Sequence, residues 1–325
     1  MVNRIHFGKR ISVLRRNLGL SQTELAEKLG VTSQAISKWE CGNAVPDIDL
    51  LLELSHLYNV TINEMLEEID LIYELTGVKT GHSGIGYFVS EQEREYNIKW
   101  ANEMKSGNWI KQNWEQSGIN PYMNRNSIGK QIASCNGIIL EIGVGPGGGF
   151  MPYILKANPD ARIIISDLSP TVVREWKTFL DKTVDSPNLH YAVFDFCNMP
   201  FRDNSIDIIS DGGGIGNCEG EKLKALKEVY RVLKTGGKLI TSTGFVNKDT
   251  LIELPIEAQK VLLEQRPDVF EDLYEDTVIA GFNKIDSVIN GCWYTNDDDS
   301  TIADLARSLG VNLKFTSYTR YCTKE

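Results

Sequence analysis

The chain has 325 residues, about twice the ~150 of an ordinary domain, so two domains are expected. Hydrophobic residues make up 42% of it and charged residues 24%, and no apolar run approaches the roughly 18 residues of a membrane span, which excludes an integral membrane protein built from helices. The net charge of −10 is uneven: residues 1–45 carry seven Lys/Arg against three Glu, a balance of +4 that leaves −14 for the remainder. An acidic body repels a polyanion, so only the basic first segment suits nucleic acid. Met1–Arg10 has no apolar core of a secretory leader. The six cysteines (Cys41, Cys135, Cys197, Cys218, Cys292, Cys322) show no C-x-x-C spacing. The expectation is a cytoplasmic protein with no membrane anchor, no disulfide framework and no metal site.

Residues 4–68 read as five short amphipathic helices. Ile11, Leu14 and Leu18 share one helical face, and Gly19 breaks the pattern. Ser21-Gln22-Thr23-Glu24 is a capping box, and the helix it opens buries Leu25, Ala26 and Leu29 before Gly30 ends it. Thr32 or Ser33 caps a third helix, with Ile36 and Trp39 inward and Gly42-Asn43 at its end. Pro46 introduces a fourth helix carrying Leu50, Leu54 and Leu57, and Thr61-Ile62-Asn63-Glu64 is a capping box for a fifth. Two short helices joined by a Gly-Val-Thr turn have helix-turn-helix geometry.

The run Leu20–Ala26, then Leu29-Gly30-Val31-Thr32 and Ile36-Ser37-Lys38-Trp39-Glu40-x-Gly42, closely resembles the phage-repressor (Xre/Cro-like) DNA-binding family over about residues 5–68. The resemblance implies double-stranded DNA as a partner. Ser33, Gln34, Ser37 and Lys38 would face the major groove, and Gln22 would touch phosphate. Gln suits a bidentate contact to adenine, and Lys38 suits guanine or phosphate. It also implies a homodimer on an inverted repeat, held near Ile62–Leu66 or through the larger domain.

A linker and cap are expected over 71–125. Gly77, Gly81, Gly84 and Gly86 read as loop. Tyr96, Trp100, Trp109, Trp114 and Tyr122 follow, and they either line a pocket or pack a helix onto a neighbouring domain.

From 126 to 325 strands and helices alternate. Ile138–Ile142, Arg162–Ser166, His190–Phe194, Asp207–Ser210 and Lys238–Thr243 read as strands, with Glu221–Lys234 helical. That pattern is a doubly wound, Rossmann-like α/β sheet, so the whole chain is an all-α five-helix domain followed by an α/β domain. Gly143, Gly145 and Gly148 satisfy G-x-G-x-x-G, and Asp167 lies at a ribose-binding distance, as in nicotinamide sites. Glu141 argues against that cofactor. A pyrophosphate has no use for a carboxylate inside the strand, whereas a cofactor with a cationic amino-acid end does.

Together with Asp195-Phe196 and the segment Leu226–Ile240, these motifs resemble the class I S-adenosylmethionine-dependent methyltransferases, especially the quinone-biosynthesis subgroup, over residues 137–245. The resemblance implies S-adenosyl-L-methionine as cofactor and S-adenosyl-L-homocysteine as product. Glu141 and the backbone at Gly143, Gly145 and Gly147 would hold the methionine end. Asp167 would hold the ribose and Leu168 the adenine face. Asp195 would take the adenine amine with Phe196 beside the ring. Asp211 would sit near the methionine amine or the acceptor, as the weak choice for a catalytic base.

Ser210–Asn217 lacks the Pro-Pro-aromatic run of enzymes that methylate exocyclic amines of bases, and no cysteine follows a proline as cytosine-C5 chemistry requires. The methyl acceptor is therefore expected to be a small molecule. A regulator that senses the cofactor without turnover is the alternative, and a nucleic-acid methyltransferase comes after it. Residues 246–300 exceed an ordinary connection and read as a lid, with Leu251–Glu264 and Val269–Ile285 helical and Ser287–Tyr294 left open. A last helix over 297–310 and a last strand over Val311–Tyr321 complete the chain.

Overall fold

The computed structural model describes residues 4–325, apart from 67–69, 81–82, 91, 93–97, 99–100, 103, 105–108, 118–123, 185, 187, 219 and 298–300. They form two compact units, Met1–Glu74 and Leu75–Glu325.

The first unit holds α1 (Arg4–Asn17), α2 (Gln22–Lys28), α3 (Ser33–Glu40), α4 (Ile48–Tyr58) and α5 (Ile62–Leu66), with α6 (Leu71–Thr76) at its boundary. Side chains start these helices. Ser21 and Glu24 close a reciprocal capping box on α2, Thr32 accepts from the Ala35 N–H at 3.2 Å, and Asp47 accepts from Leu50 N–H at 2.9 Å. Gly30 (φ +64°) turns α2 away in the left-handed region, and Asn59 (φ 53°) does the same for α4. Phe7, Ile11, Leu25, Ile36, Leu54 and Met65 are sealed in the core, with Trp39 beside them.

The second unit is built on an eight-stranded sheet of order β1-β4-β3-β2-β5-β6-β8-β7. Its strands are β1 (Ile85–Tyr87), β2 (Ile139–Ile142), β3 (Ile163–Asp167), β4 (Leu189–Val193), β5 (Ile206–Asp211), β6 (Leu233–Val246), β7 (Lys284–Tyr294) and β8 (Lys314–Thr323). β1 to β6 pair in parallel, and β8 runs antiparallel to both β6 and β7. The chain winds one way through β2, β3 and β4 and the other way through β5 and β6. A crevice therefore opens beyond the carboxyl ends of β2 and β5, where ligands bind in such sheets.

Helices of this unit include α7 (Trp109–Gln116), α8 (Arg125–Ala133), α9 (Met151–Ala157), α10 (Pro170–Thr183), α11 (Lys222–Val232), α12 (Lys248–Ile252), α13 (Ile256–Gln265), α14 (Leu273–Ile279) and α15 (Thr301–Ser308). Ile139, Ile163, Ile165, Trp176 and Leu180 are fully buried between sheet and helices. No helix among the described residues is long and apolar enough to cross a membrane.

Several segments differ from the sequence reading. The glycine-rich stretch 77–86 is not loop to its end: Ile85–Tyr87 pairs with Tyr191–Val193 as an edge strand, a partnership formed across a hundred residues that no local signal announces. Gly81 lies outside the described residues. The helix expected over Val269–Ile285 is a 3-10 turn (Pro267–Phe270), then α14, then the start of β7. The open segment Ser287–Tyr294 is strand, so 246–300 is not a single cover. Its helical part packs with the ends of β6 and β8, through Val246, Leu262, Phe270, Ala306 and Phe315.

Candidate functional site

In the first unit, burying Ile36 and Trp39 turns the opposite face of α3 to solvent. Ser33, Gln34 and Lys38 are exposed on it and Ser37 is half-buried. Gln22 at the start of α2 is half-buried, and its Nε2 donates to Glu40 Oε2 at 2.7 Å. Glu40 also accepts from Arg15 Nε at 2.6 Å and Nη2 at 3.0 Å, and Arg15 Nη1 donates to the Leu20 carbonyl. Burial pushes the Glu40 carboxyl up, but the bonds from Arg15 and Gln22 outweigh it and hold the carboxyl below its ordinary value. Gln22 thus joins an internal polar cluster that ties α1, α2 and α3 together.

In the second unit, two glycine loops meet beyond the carboxyl ends of β2 and β5. The loop after β2 puts Gly143 (φ +58°), Gly145 (φ +51°), Gly148 (φ +79°) and Gly149 (φ +56°) in the left-handed region, where a side chain is strained. The loop after β5 carries Gly212, Gly213 and Gly214. A Cβ at Gly212 would stand 2.7 Å from the Gly149 Cα, so the two backbones touch. A Cβ at either Gly143 or Gly214 would stand 3.6 Å from the Phe196 ring, which places that ring beside both loops.

The carboxylates take distinct positions. Asp167, at the end of β3, accepts from Gly145 N–H at 2.8 Å and Ser169 N–H at 2.8 Å, so it fastens the glycine loop while staying half-exposed. Leu168 follows it, also half-exposed. Asp195 accepts from Cys197 N–H at 2.9 Å in the turn after β4 and is likewise half-exposed.

Glu141 is fully buried beneath the loop. Oε1 accepts from Phe150 N–H at 2.8 Å, and Oε2 accepts from the hydroxyl of Ser210, its register partner on β5. It braces the loop from below rather than opening into the crevice. Asp211 is also fully buried. Its Oδ1 accepts from the N–H groups of Gly213, Gly214 and Ile215, and its Oδ2 from the Thr241 hydroxyl at 2.7 Å. A carboxylate so saturated shapes a turn; the expectation that it acts as a base is corrected.

Burial pushes the Glu141 carboxyl up to about 8, against hydrogen bonds from Ser210 and Phe150 that lower it. The unfolded chain ionises this group near the ordinary carboxylate value, so between about pH 5 and 8 the native state holds a proton that the unfolded state lacks. Stability then falls as pH rises through that window. Glu141→Gln mimics the protonated form and is expected to flatten this fall, a difference on the order of a few kcal/mol. Denaturant unfolding of both proteins at pH 5.5 and 8.5 checks it; equal slopes would mean that Glu141 is ionised when folded.

The aromatic segment packs against the crevice wall. Trp114 on α7 meets the Phe179 ring edge-on at 5.8 Å, Asn113 Nδ2 donates to the Pro146 carbonyl at 3.0 Å, and Arg125 Nη1 donates to the Gly149 carbonyl at 3.2 Å. Trp109 is 42% exposed, while Tyr96, Trp100 and Tyr122 lie outside the described residues.

Two families match the chain: helix-turn-helix over residues 11–65 and methyltransferase domain over residues 140–241. An HTH-type transcriptional regulator, YonR, derived from the SPbeta prophage of Bacillus subtilis, is 33% identical over 91 residues, which are 27% of this chain and 84% of the regulator. The first unit belongs to the helix-turn-helix regulators. A methyltransferase domain follows it. The Ubiquinone/menaquinone biosynthesis C-methyltransferase of Hydrogenovibrio crunogenus is 25% identical over 150 residues, 46% of this chain and 59% of that one. The chain spans about half the length of the curated methyltransferases it matches. Among solved structures, phosphoethanolamine N-methyltransferase 2 of Haemonchus contortus, in complex with S-adenosyl-L-methionine, superposes with a TM-score of 0.50 at 19% identity, over 73% of this chain and 60% of that chain. That likeness concerns the fold of the methyltransferase domain.

The sequence reading missed part of this site. Gly149 and Gly212 carry the close approach of the two loops, and Asn113 and Arg125 hold the first loop from outside. The runs Gly147-Gly148-Gly149 and Gly212-Gly213-Gly214 were the available signals for the two glycines; nothing local marks Asn113 or Arg125.

Proposed function

We propose that the chain is an S-adenosylmethionine-dependent methyltransferase of a small molecule, joined to a helix-turn-helix domain that binds double-stranded DNA. The observation that carries this reading is the glycine-lined crevice at the point where the sheet reverses, with half-exposed Asp167 and Asp195 at successive strand ends. Backbone bare of side chains at Gly143, Gly145 and Gly147 leaves room for the methionine end. Asp167 accepts from the ribose hydroxyls, and Leu168 packs the adenine. Asp195 accepts from the adenine amine, and Phe196 closes that side.

The cofactor supplies a sulfonium methyl group as the electrophile. The protein supplies alignment and a dry crevice rather than a strong base, since Glu141 and Asp211 are both spent on holding loops. Incubation with labelled S-adenosylmethionine and a metabolite extract tests turnover. Tight cofactor binding and altered DNA affinity without methyl transfer would favour a sensor; methylation of DNA carrying the operator would favour a nucleic-acid enzyme.

Asp167→Ala is expected to weaken S-adenosylmethionine binding by about 1–3 kcal/mol, through lost hydrogen bonds and a loosened Gly145. Unchanged affinity by calorimetry would displace the cofactor from this crevice. For DNA, Ser33, Gln34, Ser37 and Lys38 present the reading face and Gln22 lies near the phosphates. A single module reads few base pairs, so two copies about a two-fold axis on an inverted repeat, in the cytoplasm, complete the proposal. Gln34→Ala and Lys38→Ala are each expected to cost about 1–3 kcal/mol toward an operator selected from random duplexes, with cofactor affinity unchanged. Gel shifts unaffected by both would refute the assignment of this face.

A further inference from the structure

Cys218 and Glu221 share one loop and Cys197 lies 21 positions before Cys218, a spacing that shows no metal motif, but two successive connections of the sheet, β4 to β5 and β5 to α11, bring all three together. Cys197 sits in the turn after β4, two residues beyond Asp195, and is buried. Cys218 ends the short 3-10 turn Ile215–Asn217, whose start is organised by Asp211, and is half-buried. Glu221 precedes α11 and is exposed. The two sulfurs are 3.7 Å apart, and the three potential ligand atoms all lie within 4.8 Å of one another.

From these positions we infer that Cys197, Cys218 and Glu221 form a binding site for a thiophilic divalent cation of the zinc class. The sulfur spacing carries the inference. Two thiolates on a tetrahedral ion with metal–sulfur bonds of about 2.3 Å stand about 3.8 Å apart, close to the separation found here. A disulfide holds its sulfurs at about 2.05 Å, so the pair as it stands is two free thiols. The carboxylate is the mobile member of the set. Among the described residues Glu221 Oε1 is held by Lys224 alone, at 2.9 Å in a solvent-exposed pair, which is weak, so it can turn toward the sulfurs. Asp195 adds negative potential that reaches both sulfurs.

Three protein ligands leave the fourth tetrahedral position to water or to an exchangeable ligand. The ion clips the loop bearing Asp195 and Phe196 to the loop shaped by Asp211. Both border the crevice, yet the site stands or falls independently of any methyl transfer.

The test uses the full-length, reduced protein titrated with Co(II) and then Zn(II). One Co(II) per chain is expected, with thiolate-to-cobalt charge-transfer absorption, visible bands of tetrahedral intensity, and displacement of both by Zn(II). Cys218→Ser, at the half-buried position, is expected to abolish the charge-transfer band, as is Cys197→Ser. Glu221→Gln is expected to weaken uptake at least about tenfold, the scale seen even for groups that only orient ligands. Cys41→Ser, at an exposed cysteine remote in sequence, is expected to change nothing. Thermal unfolding of the metal-free variants identifies any that fail to fold, and for those the Glu221→Gln titration decides. Absence of tetrahedral bands in the parent would overturn the site. So would bands that persist in folded Cys218→Ser, or rapid conversion of the two thiols to a disulfide without metal uptake.

Discussion

Glu40→Ala is expected to lower the stability of the helix-turn-helix domain by about 3–5 kcal/mol and to abolish DNA binding with it. The side chains of Arg15 and Glu40 are 11% and 6% exposed, so the pair is shielded from water and close enough to Tyr58 for both charges to act on its hydroxyl. Removing one partner leaves the other charge buried and unanswered, which costs more than the intact pair contributes. One further group loses its partner at once, the Gln22 amide. For a unit of this size the loss corresponds to a fall in Tm on the order of 15 °C. Hydrogen exchange resolved to peptides of α2, α3 and α4 separates this unit from the methyltransferase domain. Unchanged protection there would show the cluster to be dispensable. The contrast with Gln34→Ala is diagnostic: that change trims an exposed side chain and is expected to leave exchange untouched.

The helix-turn-helix domain was legible because its signals are local. A capping box, a Thr cap, a left-handed glycine and an inward Ile-Trp pair each occupy a few adjacent residues and agree with one another. The central strands were legible for a related reason: a strand covered on both faces is a short apolar run, as Ile163–Ile165 is and as Ile139–Ile142 is apart from Glu141. The edges gave no such signal. β1 has only three residues, one of them glycine, and exists because Tyr87 pairs with Val193. β7 is exposed along most of its length, so it lacks the alternation that marks a half-buried strand, and its place is fixed by β8.

The site divides in the same way. Glycines, Asp167 and Asp195 were legible as types at strand ends, whereas the employment of each carboxylate was not. Glu141 and Ser210 are 69 positions apart and meet only as register partners. Asp211 reads in sequence as a free acid beyond a strand, and its saturation depends on three consecutive N–H groups turned inward by Gly213 and Gly214. Cys197 and Cys218 are 21 positions apart, so a search for close cysteine spacing passes over them.

Gly149→Ala is expected to be the most damaging single methyl that can be added to the crevice, although Gly149 stands outside the G-x-G-x-x-G pattern. Two costs combine. At φ +56° an alanine bears left-handed strain of about 1–2 kcal/mol. Its Cβ would also stand 2.0 Å from Glu141 Oε1, a contact that forces one of the two to move. Glu141 cannot swing aside cheaply, because it is fully buried and held by Ser210 and Phe150; breaking that anchorage adds about 1–3 kcal/mol. If the loop moves instead, it leaves Gly212, which its backbone touches, and the Arg125 guanidinium bound to the Gly149 carbonyl. Either way the cradle is lost, with a destabilisation of about 2–5 kcal/mol and at least a tenfold loss of S-adenosylmethionine affinity. Gly147 provides the control. It sits in the same loop, has no left-handed φ, and its added Cβ would meet nothing within 4 Å, so Gly147→Ala is expected to leave stability unchanged. Denaturant unfolding of both variants, with calorimetric titration of the first, decides the matter. Equal stabilities for the two would remove the strain argument, and full affinity in Gly149→Ala would mean that the cofactor does not rest on this loop.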